Sequence, residues 1–93
     1  MYCTEPGYKG TEVEVWKEAN GTTLRKYYVN ADGTRNMSAL DTVKSSTTGN
    51  QTIYQATVNQ NSLVVNTATG ISTYTLYVGG NSFPLNLTCQ SYL

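Results

Sequence analysis

The chain has 93 residues, a formal net charge of zero and no histidine, and its six basic and six acidic side chains all lie at or before Lys44. The 49 residues from Ser45 to Leu93 therefore carry no charged side chain. A neutral chain without a basic run offers no electrostatic footprint for nucleic acid or anionic lipid, and no apolar run approaches the roughly 20 residues of a membrane-spanning helix.

Leu, Ile, Val and Phe number only 18, but eight Tyr and Trp16 add bulky apolar area, and Thr, Asn, Ser and Gln supply 35 residues. Such a surface of hydroxyls and amides depends little on pH or salt, which suits an extracellular or cell-surface setting. At this length one domain spanning 1–93 is expected, with a core small enough to need extra fixing. Cys3 and Cys89 sit almost at the two ends. A disulfide between them would close nearly the whole chain into one loop, worth about 4.6 kcal/mol by chain entropy, and would imply an oxidising compartment. Two free buried cysteines are the alternative. Met1-Tyr2-Cys3 begins no signal peptide, so a secreted form would be the mature domain or a piece of a precursor.

In chain order, the first clear unit is Thr11 to Val29, two strand-like runs flanking Asn20-Gly21, a pair favoured in two-residue type I′ hairpins. That turn makes facing residues sum to 41, pairing Val13 with Tyr28, Val15 with Lys26 and Trp16 with Arg25. Val13, Val15, Leu24 and Tyr28 are expected to point inward, and Trp16 outward with Glu12, Glu14 and Glu18. Asn30 to Gly33 reads as a turn, and Met37 to Lys44 as either a strand or a short helical turn. Further strands are expected at Gln51 to Val58, Ser62 to Asn66, Ile71 to Val78 and Phe83 to Cys89, separated by Asn- and Gly-rich turns. In the last, Phe83, Leu85, Leu87 and Cys89 alternate inward, while Pro84 marks an edge strand or a strand start.

The resulting fold class is all-β: a small antiparallel β-sandwich of about seven short strands, or a partly closed barrel. Cys3, then Trp16 in a Val-rich strand, then Cys89 resembles the Cys…Trp…Cys layout of immunoglobulin domains, which implies an immunoglobulin-like sandwich. The chain departs from that layout at Leu87, where a tyrosine would stand, and in the terminal position of Cys89.

Without histidine the commonest general base and metal ligand are missing, and no enzyme, catalytic residue, cofactor or metal is expected. Glu12 and Glu14 would suit a carboxylate pair or a calcium site, but an exposed polar strand face is the favoured reading. Asn20, Asn36, Asn50 and Asn86 each begin an Asn-X-Ser/Thr acceptor tripeptide for N-glycosylation. Trp16, Arg25 and Tyr27 form the candidate partner surface, with a Trp16–Arg25 cation–π contact. Two functions fit best, the first ranking slightly ahead of the second. One is a non-enzymatic extracellular structural subunit that self-assembles into a filament, pilus or coat through strand edges, for which Phe83 to Leu93 is the better donor segment. The other is a secreted, N-glycosylated recognition or adhesion domain meeting an extracellular protein or glycan. A third class, a small-molecule carrier in a closed meander barrel, has little room for a ligand cavity at this length.

Overall fold

The computed structural model describes residues 1–6 and 10–90, and these form eight antiparallel strands closed into a barrel. The strands are β1 (Tyr2–Thr4), β2 (Thr11–Glu18), β3 (Gly21–Val29), β4 (Arg35–Thr48), β5 (Gln51–Ala56), β6 (Ser62–Asn66), β7 (Ile71–Val78) and β8 (Asn81–Gln90). Each pairs with its neighbours in chain order and β1 also pairs with β8, which makes an up-and-down meander. The chain is all-β, and the barrel is the architecture it adopts. The immunoglobulin-like sandwich of about seven strands is corrected by β1. This three-residue strand bridges β2 and β8, so one continuous ladder replaces two packed sheets.

Strand alternation decides what lies inside. Tyr54, Leu63, Tyr74 and Leu85 follow one another across β5 to β8, and Thr52, Val65, Ser72 and Leu87 form the next row. Together with Cys3, Val13, Val15, Leu24, Val43 and Ala56 they fill the interior, and Tyr74, Leu63 and Cys3 are 0% exposed. Eight strands leave an interior just wide enough for side chains or one small ligand, and here side chains occupy it. Outward positions on β5 to β8 carry mainly hydroxyls and amides, the reverse of a lipid-facing barrel. No helix among the described residues is long and apolar enough to cross a membrane.

The first hairpin keeps the expected faces but not the expected register. Val15 faces Leu24 and Trp16 faces Thr23, so facing residues sum to 39, and the turn is Ala19-Asn20. A type I′ turn at Asn20-Gly21 would need positive φ at both residues, and among the described residues only glycines have it. Gly21 instead opens β3 at φ 142°. Because the slip changes the sum by two, Val13, Val15 and Leu24 still point inward. Tyr28, expected inside, is 51% exposed because it lies near the end of β3, opposite Thr11 and Asn36, at the barrel rim.

The ambiguous segment Met37 to Lys44 is strand, part of the 14-residue β4. Its first part pairs with β3 and its last part with β5, and a bulge at Ser38 shifts the register between Lys26 and Tyr27. Lys26 Nζ donates to Ser38 Oγ at 3.1 Å, holding the bulged residue.

Closure is completed at the seam. Cys3 and Cys89 are direct cross-strand partners and form the disulfide, 86 residues apart in sequence. β1 pairs with β8 only over Thr88–Gln90, so among the described residues Asn81–Leu87 has a ladder partner on the β7 side alone. Cys89 N donates to Gly70 O at 2.7 Å, which directs the odd-numbered backbone groups of β8 toward β7. Pro84, in the alternate set, therefore turns its missing N–H toward the open side, as an edge-strand proline does.

Candidate interaction face

The outer face of β2, β3 and the first half of β4 gathers five of the twelve charged side chains, Glu12, Glu14, Glu18, Arg25 and Arg35. Alternation turns Glu12, Glu14, Trp16 and Glu18 of β2 outward, and register sets Glu14 opposite Arg25 and Glu12 opposite Tyr27. β4 then contributes Met37 opposite Tyr27, Leu40 opposite Arg25, and Arg35 opposite Val29.

Two arginines knit the face together. The Arg25 guanidinium lies 4.3 Å from the Trp16 ring centroid and bonds Glu18 Oε1 at 3.0 Å. The expected Trp16–Arg25 contact is therefore present, but across a diagonal rather than a facing pair. Arg35 lies 3.9 Å over the Tyr27 ring and reaches Glu12 at 3.0 Å and Glu14 at 3.3 Å. The Trp16 indole N–H donates to Glu14 Oε1 at 3.1 Å and joins the two halves. Partial burial pushes the Glu14 carboxyl up, yet the Trp16 indole N–H, the Arg35 charge and the Tyr27 hydroxyl outweigh it and hold it below its ordinary value. Arg35 is likewise held above its ordinary value, the charges of Glu14 and Glu12 overcoming desolvation.

Trp16, Arg25 and Tyr27, singled out in the sequence, thus lie on one surface. Trp16 is 45% exposed, and Met37 and Leu40, on β4 beyond Tyr27 and Arg25, are 48% and 56% exposed. Arg35, Met37 and Leu40 were missed in the sequence because β4 could not be assigned as a strand; with it assigned, its pairing to β3 places them here. Glu12 and Glu14 do share a face, but Arg35 occupies both. Asp32 is spent on its own turn, where the Thr34 hydroxyl and N–H donate to Oδ1 and lower its pKa. Among the described residues no cluster of three or more His, Cys, Asp or Glu could hold a metal ion.

A second polar cluster is internal. Asp41 is buried and accepts from Asn59 Nδ2 at 2.8 Å and Asn61 Nδ2 at 3.2 Å, while Asn61 Oδ1 accepts the Tyr77 N–H at 2.8 Å. This pins the β5–β6 loop across the barrel mouth. The buried Tyr74 hydroxyl has no hydrogen-bond partner among the described residues, and burial, with the Asp41 charge, pushes its pKa up to about 12.

The four acceptor asparagines behave alike. Asn20, Asn36, Asn50 and Asn86 are exposed, and their side-chain amides make no hydrogen bond to another described residue. Of the asparagines outside any acceptor tripeptide, the side chains of Asn30, Asn59, Asn61 and Asn66 are engaged, while that of the exposed Asn81 is free like the acceptors.

No protein-family model, no curated protein and no solved structure matches this chain. Fold and face together define its class: a disulfide-closed up-and-down β-barrel with a charged aromatic face on one side and an uncharged face on the other.

Proposed function

We propose that this is a non-enzymatic extracellular recognition domain that meets a protein partner through the outer face of β2 to β4. The observation that carries the reading is the connected surface of Trp16, Arg25, Tyr27, Arg35, Met37 and Leu40. Aromatic residues, Arg and Met are the types enriched where proteins bury surface against one another, and Trp, Tyr and Arg dominate interface energetics. The ion pairs hold both arginines in place before binding, which lowers the entropy cost of association. The disulfide is consistent with an oxidising compartment, and the four free, exposed acceptor asparagines support N-glycosylation of a secreted form.

One observation favours the alternative, a self-assembling filament or coat subunit. Closure removes most edges, but Asn81–Leu87 of β8 keeps one side unpaired and so offers a place for strand addition. Pro84 interrupts that edge, and residues 91–93 of the expected donor segment lie outside the described residues. The geometry supports recognition better.

The test is an array of purified extracellular proteins probed with the wild type and with a Trp16→Ser, Leu40→Glu double variant. Wild-type binding that falls at least tenfold in the variant, with the melting curve unchanged, is the expected outcome, equivalent to about 1.4 kcal/mol or more. Equal retention would refute the face. Concentration-dependent fibres of the wild type in electron micrographs would favour the filament reading instead.

A further inference from the structure

A depression of about 320 Å³ lies on the outside of the barrel where the β4–β5 turn meets β6 and β7, lined in part by Thr48, Asn50, Gln51, Asn66, Ile71 and Thr73. Its volume is at the lower end of small-ligand sites, roughly 300–1,000 Å³. We propose that it binds a neutral sugar residue. This site belongs to the uncharged side of the molecule and does not depend on the Trp16 face.

The wall is built and fixed. Thr67 donates to the Asn50 carbonyl from its N–H at 2.7 Å and its hydroxyl at 3.1 Å, tying the β6–β7 loop to the β4–β5 turn. Asn66 Oδ1 accepts the N–H groups of Ala68 and Thr69 at 3.0 and 3.2 Å, and the Ile71 N–H goes to Thr69 Oγ1 at 3.2 Å. The loop's own backbone donors are thus consumed, and what remains for a ligand is a set of side chains. These are the amides of Asn50 and Gln51, Asn66 Nδ2, and the hydroxyls of Thr48 and Thr73.

Ligand class follows from that set. A phosphate, carboxylate or amine would find no counter-charge, and a purely apolar ligand would bury these polar groups without partners. An extended peptide needs a row of free backbone groups, and β5, β6 and β7 are fully paired with one another here. Sugar hydroxyls both donate and accept, as amides and hydroxyls require. Ile71, 65% exposed, with Val64 beside it, offers an aliphatic surface for the C–H face of the ring. The sugar has two sources, a free saccharide or the first residue of a glycan on Asn50 itself.

The experiment titrates ¹⁵N-labelled protein from a bacterial host, which adds no N-glycan, with N-acetylglucosamine and with cellobiose to about ten times a millimolar Kd. Expected are shifts of the Asn50, Gln51 and Asn66 side-chain amides that persist when salt is raised, with affinity at least threefold weaker in Ile71→Ser. In protein from a glycosylating host, loss of the response that returns in Thr52→Val, which destroys the acceptor tripeptide but keeps the Asn50 side chain, assigns the site to the protein's own glycan, and an unchanged response assigns it to free saccharide. No shift with either sugar, shifts confined to the Trp16 face, or a larger response to triglycine at the same amides would each overturn the proposal.

Discussion

Tyr74 shows how a single inward-facing residue can matter in ways its position in a strand does not reveal. Its ring belongs to the core, but its hydroxyl is buried without a partner among the described residues. Removing such a group is close to neutral or favourable, so Tyr74→Phe should stabilise the protein by up to about 1 kcal/mol in urea melts at neutral pH. A destabilisation of similar size would mean the hydroxyl has a partner after all. The same variant has a pH signature. The unfolded phenol loses its proton near its ordinary value of 10.0, whereas the folded one holds it to about 12. Stability contributed by the neutral phenol is therefore complete below pH 10 and is lost as pH rises toward 12, and that loss should be smaller in Tyr74→Phe. On the outer face the residue types at Trp16, Arg25 and Tyr27 were legible from the first hairpin. Arg35 was not, because its link to Glu12 and Glu14 depends on β4 lying beside β3.

Among the elements, the β6–β7 connection is the most tightly specified. Gly70 has φ 79°, and a Cβ there would lie 2.6 Å from the Cys89 carbonyl oxygen, a backbone atom that cannot swing aside. Gly70→Ala is expected to cost about 2–3 kcal/mol, combining left-handed strain with the clash, and to shift the amide resonances of Cys89 and Gln90. A melt unchanged from wild type would show that the loop can relax. The first hairpin carries the opposite lesson. Its alternation made Val13, Val15 and Leu24 inward-facing whatever the turn did, because a slip that changes the register sum by two leaves the faces alone. The register itself depended on Asn20 declining a positive φ, which an Asn-Gly pair does not announce. β4 was ambiguous for a related reason: over Met37 to Lys44 its apolar residues break strict alternation at the Ser38 bulge.

At the scale of the whole molecule the shortest strand controls closure. β1 contributes three residues, yet it joins β2 to β8 and carries half of the disulfide. Reduction should lower stability by up to about 4.6 kcal/mol, read as the difference between denaturant melts with and without reductant. Cys3→Ala, Cys89→Ala should reproduce the reduced curve. Coincident oxidised and reduced melts would show that strand pairing alone holds the seam. Closure also gives the uneven charge distribution a spatial meaning. Strands β2 to β4 carry two arginines and three glutamates on their outer face, and β5 to β8 present hydroxyls, amides, the acceptor asparagine Asn86, and the depression beside Asn66.

The sequence by itself determined the β class, the inward set on most strands, the terminal cysteine pair and the confinement of charge to the first half. Each follows from local rules: the two-residue period of a strand, the turn residues between strands, and composition. Only the tertiary structure decided that the ladder closes, that eight strands rather than seven take part, and that Arg35, Met37 and Leu40 join Trp16 on one face. Those outcomes rest on pairing between residues far apart in the chain. A three-residue strand such as β1 is too short to show a period, and its identity comes entirely from the two strands it touches.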